Sequence, residues 1–185
     1  MSVPQPPKLA KLVVGFFLND RSLTAAIVRQ LQDRLGPLEM VSPWLPFDFT
    51  SYYEKEMGTP LSRRLVVFKP LVEQTRLVAV KRMTNAFEAD YVREGKRRVN
   101  IDPGYLLPER LVLATGKNFT HRIYLGDGIY ADLTLIFQKG AFRSLPWTYP
   151  DYADRRLIDF LTLVRNKYLL DLKRWEAQAV DGKRD

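Results

Sequence analysis

Apolar residues follow two rhythms along this chain, and the change from one to the other divides it into elements. Residues 11–18 hold a nearly unbroken apolar run, Leu12-Val13-Val14-Gly15-Phe16-Phe17-Leu18, the pattern of a strand covered on both faces. Leu23, Ile27 and Leu31 then recur every four residues beside Ala26, predicting a helix over 22–35 that Gly36-Pro37 stops. Residues 38–44 predict a second strand limited by Pro43 and Pro46, and Leu65-Val66-Val67-Phe68 a short, buried third strand closed by Pro70. The spacing of Val80, Met83, Phe87 and Tyr91 predicts a long helix over 73–94, ended by Gly95.

Beyond Gly95 the period shortens to two. A strand is predicted over 98–101, a turn at Asp102-Pro103-Gly104 and a strand over 111–114. Residues 122–137 predict a β-hairpin about Gly126-Asp127-Gly128, with Ile129, Ala131, Leu133, Leu135 and Phe137 on one apolar face and Asp132 on the other. After an extended connector at 145–150, Leu157, Leu161, Val164, Tyr168, Leu172 and Trp175 mark the buried stripe of a last helix over 152–176. The first half thus orders itself as strand, helix, strand, strand, helix, strand. This predicts an α+β fold with a ferredoxin-like split βαβ core, an added β-hairpin and a C-terminal helix packed on the sheet. A doubly wound sheet is the alternative. The whole of 1–185 reads as a single domain, with a flexible, proline-rich leader at 1–8 and a frayed tail at 177–185.

Composition narrows the chemistry. At 185 residues, 46% hydrophobic and 12% aromatic, the chain buries a core of about two-thirds of its unfolded surface. It has no cysteine and one histidine, His121, which removes disulfides, thiolate metal sites, thiol nucleophiles and any two-histidine motif. The net charge of +8 is spread along the chain, so it permits RNA binding without demanding it. The early apolar run is too short to span a bilayer, and it leads into Asn19-Asp20-Arg21 and a helix rather than a cleavage site. These features predict a cytoplasmic protein with no membrane partner; oligomeric state is not set by the sequence.

Three polar segments carry the candidate chemistry. In the stretch from Phe47 to Gly58, Asp48 and Glu56 offer oxygen ligands suited to a divalent cation, or an acid and base pair, with Tyr52 and Tyr53 beside them. The same stretch also reads as a capped surface loop with tyrosines laid on the core. In the second segment Asn100, Asp102 and Tyr105 face a cleft from a strand end, unless Asp102 only initiates a turn. In the third, Lys117, His121 and Arg122 form a receiver for phosphate or carboxylate, against the plainer reading of a structural histidine. Arg93, Lys96, Arg97 and Arg98 make a cationic cluster that reads either as an RNA-binding face or as a solvated helix end. Gly116-Lys117 is not a phosphate-binding Walker loop, since the earlier glycine position holds Leu111 and the hydroxyl position holds Asn118.

The segments KLVVGFFLND (11–20), FDFTSYYEKEMG (47–58), VNIDPGYL (99–106), HRIYL (121–125), GIYA (128–131) and PWTYPDY (146–152) resemble a bacterial family of uncharacterised proteins, the domain of unknown function 4416 family. The resemblance runs to about residue 170 and implies no reaction. Some members carry a GTP-binding label, for which this chain has no base-reading motif, because Asn166-Lys167 continues with Tyr168-Leu169. The residues themselves lead to a cytoplasmic protein that binds an anionic small molecule or nucleotide-like ligand in a cleft rimmed by the three segments. Lys117, His121 and Arg122 would receive the anion, while Asp48, Glu56 and Asp102 orient a polar group or a cation. The alternatives are a hydrolase or transferase, in which His121 works with Asp48, Asp102 or Glu56, and an RNA-binding module, in which Arg93 to Arg98 form one exposed face.

Overall fold

A computed structural model describes residues 1–181 of the chain. Its elements are β1 (Ala10–Leu18), α1 (Thr24–Leu35), β2 (Leu38–Val41), β3 (Leu45–Pro46), α2 (Glu54–Met57), β4 (Ser62–Val72), α3 (Leu77–Asp90), β5 (Val92–Arg93), β6 (Lys96–Arg97), β7 (Val99–Leu107), β8 (Arg110–Thr115), β9 (Arg122–Gly126), β10 (Ile129–Gln138), β11 (Ala141–Ser144) and α4 (Arg155–Asp181). The main sheet runs β11-β10-β8-β7-β1-β4-β2, with β3 added to β4 and β9 to β10. Every pairing is antiparallel. The four strands β7-β1-β4-β2 are the split βαβ core: β1 and β2 flank β4, and β4 and β7 flank β1. The mixed α+β class and its C-terminal helix are therefore as the sequence predicts, with the hairpin extending the sheet beyond β7.

The unbroken apolar run becomes β1 because the strand is covered twice. Leu12, Val14, Phe16 and Leu18 pack with Ile27, Leu31 and Leu35 of α1 and Val80 of α3. Val13 turns the other way, into a cluster with Leu157, Leu161, Val164, Tyr168 and Leu172 of α4. Alternation across a strand therefore hands neighbouring apolar residues to opposite helix layers. At the open end of β1, Lys11 is fully buried and donates to Glu39 (2.8 Å) and Asp171 (2.7 Å). Lys167 bridges the same two carboxylates at 2.5 Å each, so α4 is tied to the sheet by charge as well as by its apolar stripe. No helix among the described residues is long and apolar enough to cross a membrane.

Several boundaries differ from the sequence expectation, each for a physical reason. The third strand does not close at Pro70. It runs from Ser62 to Val72, and the register to β1 jumps between Lys11 and Val13, which bulges the proline out of the ladder. The second strand is only Leu38–Val41, and Trp44 stands edge-on to Phe16 at 5.9 Å. The long helix ends at Asp90, and Glu94-Gly95, both with positive φ, turn the small hairpin β5–β6 instead. The last helix starts at Arg155, where Asp154 accepts from the Arg156 backbone N–H at 2.8 Å, and continues past residue 177 to Asp181. The part of the expected tail at 182–185 lies outside the described residues.

The largest correction is at Asp102-Pro103-Gly104, which is no turn but the middle of β7, with Gly15 opposite Asp102 and Val14 opposite Pro103. The β7–β8 ladder begins only at Gly104, so the first half of β7 lacks a strand partner on that side. Two side chains of α3 take the partner's place at Ile101: the backbone N–H donates to Glu88 Oε1 and the C=O accepts from Lys81 Nζ, both at 2.8 Å. Pro103 shares the parity of Ile101, so its missing N–H falls on the same open side, where no strand would accept it. In the hairpin, a bulge between Leu133 and Leu135 breaks the expected single apolar face. Leu133 consequently packs with Leu77 and Val112, whereas Leu135 joins the α4 cluster.

Gly104 is required by close strand approach, since a Cβ there would lie 2.4 Å from the Val112 carbonyl oxygen. Gly104→Ala should lower stability by about 1–3 kcal/mol, read as an earlier midpoint in urea unfolding; an unchanged midpoint would show that β7 and β8 are not this close.

Candidate functional site

Two polar constellations lie on the fold, and from the first a line of charges runs to a cleft. Arg63 points from β4 into the α4 side of the sheet and is almost completely buried. Its guanidinium lies 4.9 Å from the Phe47 ring centroid, 4.8 Å from Tyr152 and 5.3 Å from Phe17, an aromatic cage that stabilises a cation through the ring quadrupoles. Asp102 lies 3.1 Å from Nη2, and Asp151 contacts Nη1. The line continues from Asp102 to Lys81 (3.9 Å), Glu88 (3.9 Å), Arg97 (3.2 Å) and Glu56 (2.6 Å). Signs alternate at every step, as burial of charge in a low-dielectric interior requires. Burial pushes the Glu88 carboxyl up, against the pull of Lys81 and the Ile101 N–H bond. The Tyr152 hydroxyl, also buried, has no hydrogen-bond partner among the described residues and is raised by the same desolvation.

At its Glu56 end the line opens on a cleft of about 620 Å³. Its walls are Asn19-Asp20 after β1, α2 with Gly58, and the β5–β6 hairpin from Arg93 to Arg98. Arg97 is held at four points: Nε and Nη2 hold Glu56 in a two-point fork at 2.6 and 2.8 Å, and Nη1 reaches Glu88 and Asn100, both at 3.2 Å. Arg98 donates to Asp20 at 2.6 Å. Among the described residues, Lys55, Arg93 and Lys96 have no carboxylate at ion-pair distance, although all three line the cleft. The cationic cluster is therefore not one exposed face. Its second half is turned inward to Glu56 and Asp20, and only Arg93 and Lys96 remain outside.

The second constellation gathers the third polar segment. Asp132, on β10, is buried and accepts from His121 Nε2 at 3.2 Å and Arg122 Nε at 2.9 Å. Arg122 also donates to the Lys117 carbonyl (3.0 Å) and the Tyr149 hydroxyl (3.2 Å). Its charge is thereby answered within the protein. The His121 ring stacks on Trp147 at 4.9 Å and 11°. Lys117 Nζ lies 5.2 Å from the Tyr52 ring, which brings the first and third polar segments together.

The sequence candidates accordingly divide. Tyr52, Lys117, His121 and Arg122 share the second constellation, and Asp102 sits at the Arg63 hub. Tyr53 packs on Phe17 at 4.8 Å, its hydroxyl raised by burial and by nearby Asp102. Glu56 and Asn100 are bonded to Arg97. Tyr105 is on the other face of β7, packed in the cluster of Leu77, Val112, Ala114 and Ile129, because an odd position in the strand cannot share a face with Asn100 and Asp102. Asp48 is exposed and pairs with neither. His121 takes Asp132 as its carboxylate, in place of Asp48, Asp102 or Glu56. Among the described residues no three acidic or imidazole side chains are grouped to hold a metal ion.

Arg63, Lys81, Glu88, Asp132 and Asp151 escape the sequence reading. A signal existed for two of them: Lys81 and Glu88 fall seven residues apart on the stripe of Leu77, Val80 and Thr84, where a charge inside an amphipathic pattern implies a buried partner. Arg63 had none, since it adjoins an apolar strand as any surface arginine might.

Residues 8–168 match the family model described as Domain of unknown function (DUF4416). No curated protein and no solved structure matches the chain.

The Arg97 fork holds the Glu56 carboxyl below the ordinary glutamate value of 4.5. A lowered folded value means that the unfolded chain takes up the proton first, so the stabilisation is complete above about pH 5 and is lost as pH falls through the folded value. Glu56→Gln should therefore cost about 0.5–1 kcal/mol near pH 7, modest because the pair is about one-third exposed, and less at pH 3. Urea unfolding at the two pH values checks this; a difference that grows on acidification would contradict it.

Proposed function

The chain belongs to the domain of unknown function 4416 family, and from that premise we propose that it is a cytoplasmic binding protein for an anionic small molecule of phosphosugar or nucleotide size, held in the cleft between α2 and the β5–β6 hairpin. The observation that carries this reading is the cleft itself, about 620 Å³ and bordered by Lys55, Arg93 and Lys96, none of them at ion-pair distance from a carboxylate, although Glu54 and Glu94 also line it. Its volume is in the range of small-molecule pockets. Cations lacking an internal counter-charge are the ones able to give their hydrogen bonds to a ligand, and such bonds are the strong ones. Arg97, fixed at four points, serves as a rigid wall. Lys117, His121 and Arg122 are less suited to the anion than the sequence suggests, because Asp132 already engages His121 and Arg122.

A second reading, a hydrolase or transferase, is favoured by the His121–Asp132 contact. An imidazole whose Nε2 is held by a buried carboxylate presents Nδ1 as a proton acceptor, the orientation a general base requires. Substituting His121 with Ala separates the readings: turnover on a phosphoester or ester panel would vanish, whereas binding in the cleft would persist.

Thermal unfolding with inorganic phosphate, a hexose phosphate, GDP and GTP tests the first reading. A ligand at a hundred times its Kd should stabilise the protein by about 2.7 kcal/mol, seen as a higher midpoint. Arg93→Ala and Lys96→Ala should each weaken binding roughly tenfold. No midpoint rise with any of these anions, or a rise that both variants keep in full, would overturn it.

A further inference from the structure

Large rings stand in water around the second constellation, with Lys117 among them. Tyr52 is 68% exposed, Phe119 63%, Tyr124 60% and Tyr149 53%. They are joined by contacts rather than scattered. Phe119 meets the His121 ring edge-on at 5.5 Å, His121 lies flat on Trp147, and Tyr149 accepts from Arg122. On β9, Tyr124 stands opposite Tyr130, with ring centroids 5.2 Å apart, two positions from the Arg122–Asp132 pair and so on the same sheet face. The helix α4 covers this face of the sheet over Leu111, Leu113, Leu135 and Phe142. Nothing among the described residues covers the rings in the same way.

We propose that this aromatic face is a stacking platform for single-stranded RNA. Scattered exposed apolar residues need no explanation, but rings grouped at one site mark a surface used for contact. Charge decides which partner fits. Between Thr115 and Leu125 the chain carries Lys117, His121 and Arg122 and no acidic residue. The one carboxylate in the row, Asp132, is 6% exposed and held by two of them. The face therefore offers ring planes and a free ammonium, Lys117, while the exposed carboxylate in the turn beside Tyr124, Asp127, is answered by Arg82 at 2.8 Å. Unpaired bases stack on such rings whatever their sequence, while the cation neutralises the backbone. A duplex hides its base planes, and a neutral glycan has no use for Lys117. RNA is the single strand that adds a 2′-hydroxyl, for which the Tyr52 and Tyr149 phenols are partners.

The test is fluorescence anisotropy with labelled oligouridylate and oligoadenylate of about a dozen nucleotides, alongside the same DNA sequences, an RNA duplex and a neutral glycan. Binding of single-stranded RNA is expected, weakening as salt rises. Phe119→Ala and Tyr124→Ala, at exposed positions where folding should be undisturbed, are each expected to reduce affinity roughly 5- to 150-fold, the equivalent of one lost base stack. Lys117→Ala should flatten the log–log salt dependence by about 0.7. Arg93→Ala, in the cleft, should leave RNA affinity unchanged, so this proposal and the anion-binding reading fail separately. No binding at low salt, equal affinity for duplex or DNA, preference for the glycan, or ring variants that bind like the parent would each overturn it.

Discussion

A guanidinium cannot enter an apolar interior without carboxylates to neutralise it, and Arg63 meets that demand from two places in the chain at once. Asp102 comes from β7 and Asp151 from the turn before α4, while Phe17, Phe47 and Tyr152 enclose the cation. Each carboxylate so recruited then calls for its own cation in turn. Asp102 lies beside Lys81, Lys81 beside Glu88, and Glu88 beside Arg97, until Glu56 brings the line to the surface. Removing one member would strand its neighbours, which is how buried ion pairs become costly to break even where they add little net stability.

The same line answers a problem of the backbone. The strand β8 leaves β7 before Gly104, and the exposed edge at Ile101 would hold an unpaired donor and acceptor within the fold. Glu88 and Lys81 take both. An ion pair from a helix thus substitutes for one rung of a sheet, and the proline two residues on asks for no rung at all. The sheet splits here without an orphaned peptide, and α3 is held in register with β7 by polar bonds.

The contrast between occupied and unoccupied charge organises the surface. Arg97, Arg98 and Arg122 look alike in the sequence to Arg93, Lys96 and Lys117, since all lie in short basic stretches. In the fold the first three are bonded to Glu56, Asp20 and Asp132, and their donors are directed by that bonding. The second three retain theirs. The proposed anion site and the proposed RNA platform both draw on the second group, Arg93 and Lys96 at the β5–β6 hairpin and Lys117 beside the rings.

Periodicity alone determined the layers of this protein. The strand at 11–18, the helices near 22–35 and 152–176, and the strand-helix-strand-strand-helix-strand order follow from which positions must leave water, and that is a local property of spacing. Closeness in space decided the rest. Asp102-Pro103-Gly104 has the composition of a turn and became a strand because β1 pairs with it; Glu94-Gly95 has the composition of a helix stop and became a hairpin tip. His121 found Asp132 rather than any of the carboxylates whose spacing drew attention, and Tyr105 lost its place at the site to the alternation of a strand that the sequence had cut short. Long-range pairing sets strand register, register sets which face each side chain occupies, and only then is a charge either answered from within or left for a ligand.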